Sequence, residues 1–395
     1  MEILFENEIA IVACLKNESP YIAEWLEYHY QIGVDKFYLY DNDSEDRSEL
    51  KKILESWIAR EIVEYIEFPG EFAQLPAYND AILKHRFDCR YLAFIDLDEF
   101  IVPKHNQAVL DIINSIFQTQ IDPKTIVSGI GINWRCFGSN GQDQKIDGGV
   151  LERFTKRSPD EFPRDRVIKT IANPRRVKLI SRPHDATYFT NCICVNENGK
   201  RINDFENPEN TVEKLQINHY FTKSREEFMA KKSRGRADCY LRYSDQVFES
   251  YQNDIVEDRV ALNLFNDRSF RWKIPRNDEF TLIELKSMLA TDSDFETLLT
   301  CFHRSRTLKD NSQRDEFTKQ SLEKLLNTQP KHISDGYLLF ESLPEIVAMK
   351  SRFTRPIFDF AIQFLNQLES IMRNNLAWDE MMNLRHKREF LQSFL

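Results

Sequence analysis

At 395 residues the chain exceeds the usual size of a single core, so one large domain with an appended one, or two domains, is expected. Hydrophobic residues make up 42% and charged residues 29%, with no low-complexity tract and no repeat period, the composition of a soluble globular protein. A formal net charge of -10 argues against duplex nucleic acid as a partner, because phosphate binding needs a concentrated basic surface, and only 11 glycines argue against a glycine-rich phosphate loop.

The amino terminus, Met1 to Glu8, lacks the basic start and long apolar stretch of a secretory signal, and the apolar run Ile9 to Leu15 is too short to span a bilayer. A cytoplasmic protein is therefore expected. Glu8 to Leu15 has the pattern of a buried strand, and Ser19-Pro20 then starts a helix, with Ser19 as N-cap and Pro20 at the first helical position, running to about Ile32 before Gly33. Val34 to Tyr40 is a second strand, ended by the polar run Asp41 to Asp46. A helix from about Ser48 to Ala59, a strand at Ile62 to Phe68 and a helix from about Leu75 to His85 follow. They lead into a fourth apolar run, Tyr91 to Ile95, which ends in Asp96-Leu97-Asp98-Glu99.

Strand and helix alternate through this half, which predicts an α/β architecture: a parallel sheet with right-handed crossovers and helices on both faces. Such sheets bind ligands beyond the carboxyl ends of their strands. The polar loops Lys16 to Ser19, Asp41 to Asp46 and Asp96 to Glu99 all fall at that edge. If the fourth strand stays extended, Asp96 and Asp98 point to one side and Leu97 to the core. Two converging carboxylates suit a hard cation such as Mg2+ or Mn2+; the alternative is an acidic turn after a strand. The first βα turn lacks Gly-x-Gly-x-x-Gly, which disfavours a standard dinucleotide fold. Asp41 or Asp43 is placed to accept hydrogen bonds from a ribose or a base, or else to form a solvated turn.

After Asn106 a helix is expected from Gln107 to Phe117 and a strand near Ile126 to Trp134. Short β-like runs then follow at Val167 to Ile171, Val177 to Ile180, Thr187 to Val195 and Lys214 to Tyr220, which predict a mixed extension of the sheet. Seven cysteines without a Cys-x-x-Cys pair fit reduced thiols, and Cys192 and Cys194 read as packing. A helix begins near Ser224, carries Lys231, Lys232, Arg234 and Arg236, and breaks near Gly235. From about residue 254 the chain becomes helical and highly charged. In Phe353 to Leu368 the apolar residues recur at helical spacing, a face for packing on the core or on a second subunit, with membrane-surface binding the weaker option.

Lys16-Asn17-Glu18, Tyr40-Asp41-Asn42-Asp43-Ser44, Gln74 to Asn79, Phe94 to Phe100, Trp134 with Phe137-Gly138-Ser139, Asn218-His219-Tyr220 with Lys223-Ser224, and Arg234-Gly235-Arg236-Ala237-Asp238 together resemble glycosyltransferase family 92 and its bacterial relatives. The match covers roughly the first two-thirds of the chain in consistent order. It implies a Rossmann-like glycosyltransferase fold of the A type over residues 1–253, with a mixed sheet, and a helical region over 254–395. It also implies a nucleotide-sugar donor, a UDP-sugar first, and Mn2+ or Mg2+ held by Asp96, Asp98 and His219. The nucleoside and diphosphate would be met by Lys16, Asn17, Asp41, Asp43, Asn79, Arg234 and Arg236. The acceptor would be a glycan or glycolipid hydroxyl, as in surface polysaccharide or lipo-oligosaccharide synthesis, with peripheral association at the inner face of the membrane and self-association through the carboxy-terminal helices as further expectations. Inversion at the anomeric carbon needs a general base, for which Asp238 and Asp185 are the candidates, with Asp143 behind them. Trp134 is placed to stack on an acceptor sugar or to fill the core. Glu99 stays open.

Three rivals are separable on sequence. A phosphatase of the haloacid-dehalogenase type puts Asp-x-Asp on its first strand with a threonine soon after, whereas here the pair ends the fourth. A nucleotidyltransferase expects a glycine-rich signature where Lys16-Asn17-Glu18-Ser19-Pro20 stands. A nucleotide-sugar-binding scaffold without turnover is disfavoured, though not excluded, by Asp96, Asp98 and His219 together.

Overall fold

The structure, a computed structural model, describes residues 5, 7–267, 285, 289, 294–306, 308, 310–328 and 333–348. The amphipathic stretch expected at 353–368 lies outside the described residues. Two compact units are present: Asn7–Ile274, and Pro275–Leu395 with Met1–Glu6. The first therefore continues past the expected boundary at residue 253. In the second, the described helices are Phe295–Ser305, Asn311–Leu326 and Ile333–Ala348. No described helix is long and apolar enough to cross a membrane.

The first unit begins with β1 (Asn7–Leu15), α1 (Ser19–Gln31), β2 (Lys36–Asp41), α2 (Arg47–Ala59), β3 (Val63–Glu67), α3 (Gln74–His85) and β4 (Cys89–Phe94). Strands β4, β1, β2 and β3 lie side by side in that order, all parallel, as the alternation predicts. Alternate side chains decide the layers. Ile9, Ile11, Ala13 and Leu15 pack with Ile22, Trp25 and Leu26 of α1 and Leu50 of α2 on one face. Ala10 and Val12 pack with Tyr38, Tyr40, Ala77, Tyr78 and Ala81 on the other. Each large apolar side chain buried this way contributes roughly 1.5–3 kcal/mol. The α1 start differs slightly from expectation: Ser19 is the first helical residue rather than the cap, its backbone N–H donating to Asp46 Oδ2 at 2.9 Å.

The chain continues with β5 (Glu99–Pro103), α4 (Val109–Phe117), β6 (Ile126–Cys136), α5 (Val150–Arg153), β7 (Lys156–Arg157), β8 (Ile168–Ala172), β9 (Val177–Ile180), β10 (Ala186–Tyr188), β11 (Cys192–Val195), β12 (Arg201–Ile202) and β13 (Leu215–His219). Then come α6 (Arg225–Arg234), α7 (Asp245–Ser250), β14 (Val256–Glu257) and α8 (Val260–Asn266). Here the sheet turns mixed, as expected: β8 runs antiparallel to both β4 and β6, while β6 is parallel to β11 and β13. The run Thr187 to Val195, read as one strand, is two, because β10 pairs with β9 in a separate small sheet. All seven cysteines are free thiols.

Strand β5 was not foreseen. It pairs with β13 alone, antiparallel, and its other edge would be left with bare backbone groups. Helix α1 covers them. Trp25 Nε1 donates to Glu99 O at 2.8 Å, Tyr28 OH donates to Ile101 O at 2.9 Å, and His29 Nε2 accepts from Ile101 N at 3.2 Å. The segment that follows Asp98 is thereby fixed to the core.

Candidate functional site

A cleft of about 720 Å³ opens at the carboxyl edge of the parallel strands. Its wall is built in chain order from the ends of β1 (Cys14, Lys16, Glu18), β2 (Asn42), β3 (Gly70 to Phe72) and β4 (Asp96 to Asp98), then His184, His219 and the segment after α6. Residues of all three polar loops line this one cleft.

Asp96 and Asp98 are not in a strand. β4 stops at Phe94, and the two residues occupy a turn closed by Glu99 N donating to Asp96 O at 3.1 Å. The side-by-side orientation expected of an extended chain is replaced by two separate environments, although Leu97 does join the core. Asp96 Oδ1 accepts from Gln74 Nε2 at 2.6 Å and Tyr78 OH at 3.1 Å, and its Oδ2 accepts from Lys169 Nζ at 2.9 Å. Asp98 Oδ2 accepts from Lys231 Nζ, and its Oδ1 lies 3.9 Å from His219 Nε2. Burial would raise the Asp98 pKa, but the Lys231 ammonium foremost, with Lys223 behind it, pulls it well below the usual carboxylate range.

Two lysines thus match the two aspartates, and neither was named from the sequence as their partner. Phe94 pairs with Thr170, so Lys169 lies one step past the end of β4, directly behind the turn. It is fully buried and also reaches Glu99 Oε2 at 3.3 Å. Burial would lower its pKa; Asp96 and Glu99 raise it. Glu99 accepts from Asp96 N at 2.9 Å with that same Oε2, and its other oxygen has no hydrogen-bond partner. Burial pushes its carboxyl up to about 8, with the Asp96 and Asp98 charges adding to the rise and Lys169 opposing it.

His219 ends β13 and packs against Trp134 of β6, ring centroids 4.0 Å apart and planes tilted by 41°. The neighbouring strands, parallel with Cys136 opposite His219, create that contact. Burial holds His219 well below its ordinary pKa, hence as a neutral imidazole, and its Nδ1 is unpartnered. Trp134 Nε1 and His184 Nδ1 on the same wall are unpartnered too. Of the three expected metal ligands, Asp98 and His219 converge with donor chemistry suited to a Mn2+-type cation. Asp96 is held away by Lys169, Gln74 and Tyr78, and no group of three His, Cys, Asp or Glu among the described residues forms a metal cluster.

The remaining residues named from the sequence divide. Lys16, Arg234, Arg236 and Asp238 line the cleft. Arg234 Nη1 donates to Lys16 O and to Glu18 Oε1, the latter at 2.6 Å. Arg236 clasps Asp238 through two bonds of 2.8 and 2.6 Å, so the proposed clamp and the proposed base hold each other, and the Asp238 carboxyl is lowered despite its burial. The others lie off the cleft wall. Asp41 is buried and bound by Arg47 Nε at 2.7 Å, by Tyr65 and by Ser44 N at 2.9 Å, which leaves it shaping the β2 turn. Asp43 is half-exposed and accepts from Gly70 N at 3.3 Å; its neighbour Asn42 is the residue that reaches the cleft. Asn79 bonds Leu75 O and both polar backbone groups of Ile180, a bracket between α3 and β9 rather than a ligand contact. Asn17 borders a smaller adjoining cavity. Asp185 stands beside the wall residue His184 with one oxygen unpartnered and its carboxyl raised by burial, and Asp143 is exposed against Arg225.

The model of glycosyltransferase family 92 matches residues 11–259. The chain belongs to this family. Curated family 92 relatives include a Ricinus communis protein, 30% identical over 152 residues covering 38% of this chain and 26% of that one, and an Oryza sativa subsp. japonica protein, 26% identical over 178 residues covering 45% and 27%. A galactan β-1,4-galactosyltransferase of Arabidopsis thaliana is 27% identical over 156 residues, 36% of this chain and 30% of its own. These relatives are plant proteins, where bacterial ones were expected. The matched stretch covers less than a third of each. Among solved structures, S. aureus TarS in complex with UDP aligns over 98% of this chain and 92% of its own at 10% identity, with a TM-score of 0.28 that carries no argument. The family 92 match runs from within β1 to just past β14 and includes the cleft residues named above.

Proposed function

We propose that this family 92 chain transfers a sugar from a nucleotide-sugar donor, a UDP-sugar first among them, to a hydroxyl of a glycan or glycolipid. The observation that carries the reading is the meeting of Asp98 and His219 with a cationic wall, Lys16, Lys231, Arg234 and Arg236, in one cleft at the sheet's carboxyl edge. The galactosyltransferase among the relatives points the same way. A nucleoside diphosphate leaves with growing negative charge, and preformed cations lower the cost of that charge where water is excluded. Of these cleft cations, Lys231 reaches the aspartate turn, donating to Asp98 and to Phe221 O.

Asp98 and His219 would hold a divalent cation, Mn2+ or Mg2+, whose contribution when bound is further neutralisation of the departing diphosphate. The neutral state of His219 is the form that ligates. Asp96, braced by Lys169, keeps the turn in place. In an inverting transfer the acceptor hydroxyl gives its proton to a carboxylate, and Asp238 is the named candidate on the cleft wall. Arg236 orients it. Trp134 offers an apolar face and an unpartnered N–H to a sugar ring.

The test is thermal denaturation with UDP and Mn2+, separately and together, alongside hydrolysis of a panel of UDP-sugars. Joint addition should stabilise the fold, and Asp98→Ala should remove that stabilisation and the hydrolysis while the protein stays folded. No stabilisation by any nucleoside diphosphate with metal would sink the transferase reading; binding without turnover across acceptors and donors would leave a nucleotide-sugar receptor instead.

A further inference from the structure

The loop that leads into α6 borders a second, smaller cavity of about 260 Å³, which shares Glu18, Phe221, Lys231 and Arg234 with the main cleft. Thr222 and Lys223 are on its wall and are 1% and 6% exposed. The Thr222 hydroxyl is buried with no hydrogen-bond partner, an arrangement folded proteins avoid unless water or a ligand completes it. Lys223 Nζ lies 4.3 Å from the Tyr21 ring centroid, and Lys145 Nζ lies 5.2 Å from that same centroid. Neither ammonium forms an ion pair among the described residues.

Two of the three acids around the cavity are ion-paired already. Glu18 pairs with Arg234 at 2.6 Å and Glu227 with Arg153 at 2.6 Å, while Glu226 accepts from the Lys145 backbone N–H at 2.7 Å. Two ammoniums, Lys145 and Lys223, then stand against one carboxylate without a cation, Glu226, so the unmatched charge is on balance positive. Lys223 also sits at φ 50, in the left-handed region that a lysine adopts only where its surroundings impose it. Ser224 and Glu227 already form a capping box on α6, so the features to be explained are those of the side chains. Burial lowers the Lys223 pKa and so disfavours the bare ammonium, and the carboxylates of Asp98, Glu18 and Glu227 oppose that shift without overcoming it.

We propose that this cavity is an oxyanion seat in which Lys223 Nζ, the Thr222 hydroxyl and Lys145 receive a phosphate or carboxylate group. The seat itself is argued from these residues alone. Only the source of the anion rests on the transferase reading: it is either the diphosphate of the donor, reaching past Lys231, or an acidic substituent on the acceptor.

The experiment is calorimetric titration of inorganic phosphate into the protein at constant ionic strength, without nucleotide or metal. Wild type should bind, Lys223→Met should weaken binding by tenfold or more, and Thr222→Val and Lys145→Met by smaller factors, since hydrogen bonds to charged groups are the strong ones. Lys223→Arg should restore part of the loss, and melting curves confirm that each variant folds. Lys145 is exposed, so its variant reads out the seat even if the buried sites do not tolerate change. No binding by wild type, or equal binding by wild type, Lys223→Met and Lys145→Met, overturns the proposal. A repeat with saturating UDP and Mn2+ identifies the source: competition assigns the seat to the donor diphosphate, and additive binding assigns it to the acceptor. Because the first titration uses neither UDP nor metal, it succeeds or fails independently of the transferase test.

Discussion

Lys169 shows how much one side chain decides in this site. It is fully buried, bonded to Asp96 and in contact with Glu99, and it donates to Pro183 O at 3.2 Å. Removing one member of a buried ion pair leaves an uncompensated charge, which typically costs 3–5 kcal/mol. The Asp96 side chain is 32% exposed, and water screens part of its charge, so about 3 kcal/mol is the expected loss for Lys169→Met, read from the urea midpoint. A loss below about 1 kcal/mol would mean that Gln74 and Tyr78 alone suffice to hold the turn. The role was not legible in the sequence because Lys169 and Asp96 are 73 residues apart and meet only through the antiparallel pairing of β8 with β4. Asp96 and Asp98 themselves were legible, since an apolar run that ends in carboxylates needs no tertiary knowledge to be seen.

At the level of elements, α6 carries cleft residues at its carboxy-terminal end and is bounded at both ends by local chemistry. Ser224 caps its start, with Glu227 completing the reciprocal bond, and Gly235 ends it at φ 87, ψ -171. That combination is nearly exclusive to glycine. A Cβ at Gly235 would meet nothing within 4 Å, so any cost of Gly235→Ala is conformational and not a clash. The expected loss is about 1–3 kcal/mol, accompanied by weaker UDP binding because Arg236 and Asp238 are launched from this residue. Ser224→Ala, which removes only a cap, should cost about 1 kcal/mol. Unchanged UDP affinity in Gly235→Ala would show that the Arg236–Asp238 clasp is set elsewhere. Both helix ends were readable from residue types, whereas β5 was not, because Glu99 to Pro103 is only five residues long, begins on a charged residue and pairs only with β13, more than a hundred residues later.

For the molecule as a whole, buried histidines set the acid limit of stability. His29 is fully buried, donates from Nδ1 to Trp25 O at 2.8 Å and accepts Ile101 N on Nε2, so both nitrogens are engaged in the neutral form. Burial lowers its pKa from 6.5 to about 3, and burial lowers that of His184 to about 4, with Lys169 adding to the shift. The unfolded chain binds these protons first. The stability they confer is fully present above about pH 6.5 and is lost as the pH falls from there toward about 3. Melting temperature should therefore drop steadily below pH 6.5, and His29→Gln, though less stable at neutral pH, should show a shallower slope. An identical slope would assign the acid sensitivity to other groups. The parallel half of the sheet could be read from alternation alone because each of its units is local. The mixed half could not, since β8, β11 and β13 are placed by pairings between distant segments that leave only short, ambiguous apolar runs in the chain.

The contact of Trp134 with His219 also makes the cleft optically addressable. Of the described tryptophans, Trp25 is sealed in the core, Trp57 packs against Tyr30, and Trp134 alone lines the cleft. Its indole lies against the imidazole expected to coordinate a cation, so occupancy of that imidazole by paramagnetic Mn2+ should quench intrinsic emission, while diamagnetic Mg2+ at the same place should not. Trp134→Phe should abolish the signal. An emission titration of the unlabelled protein would then separate cation arrival from nucleotide arrival, and could be followed by stopped flow to establish which comes first.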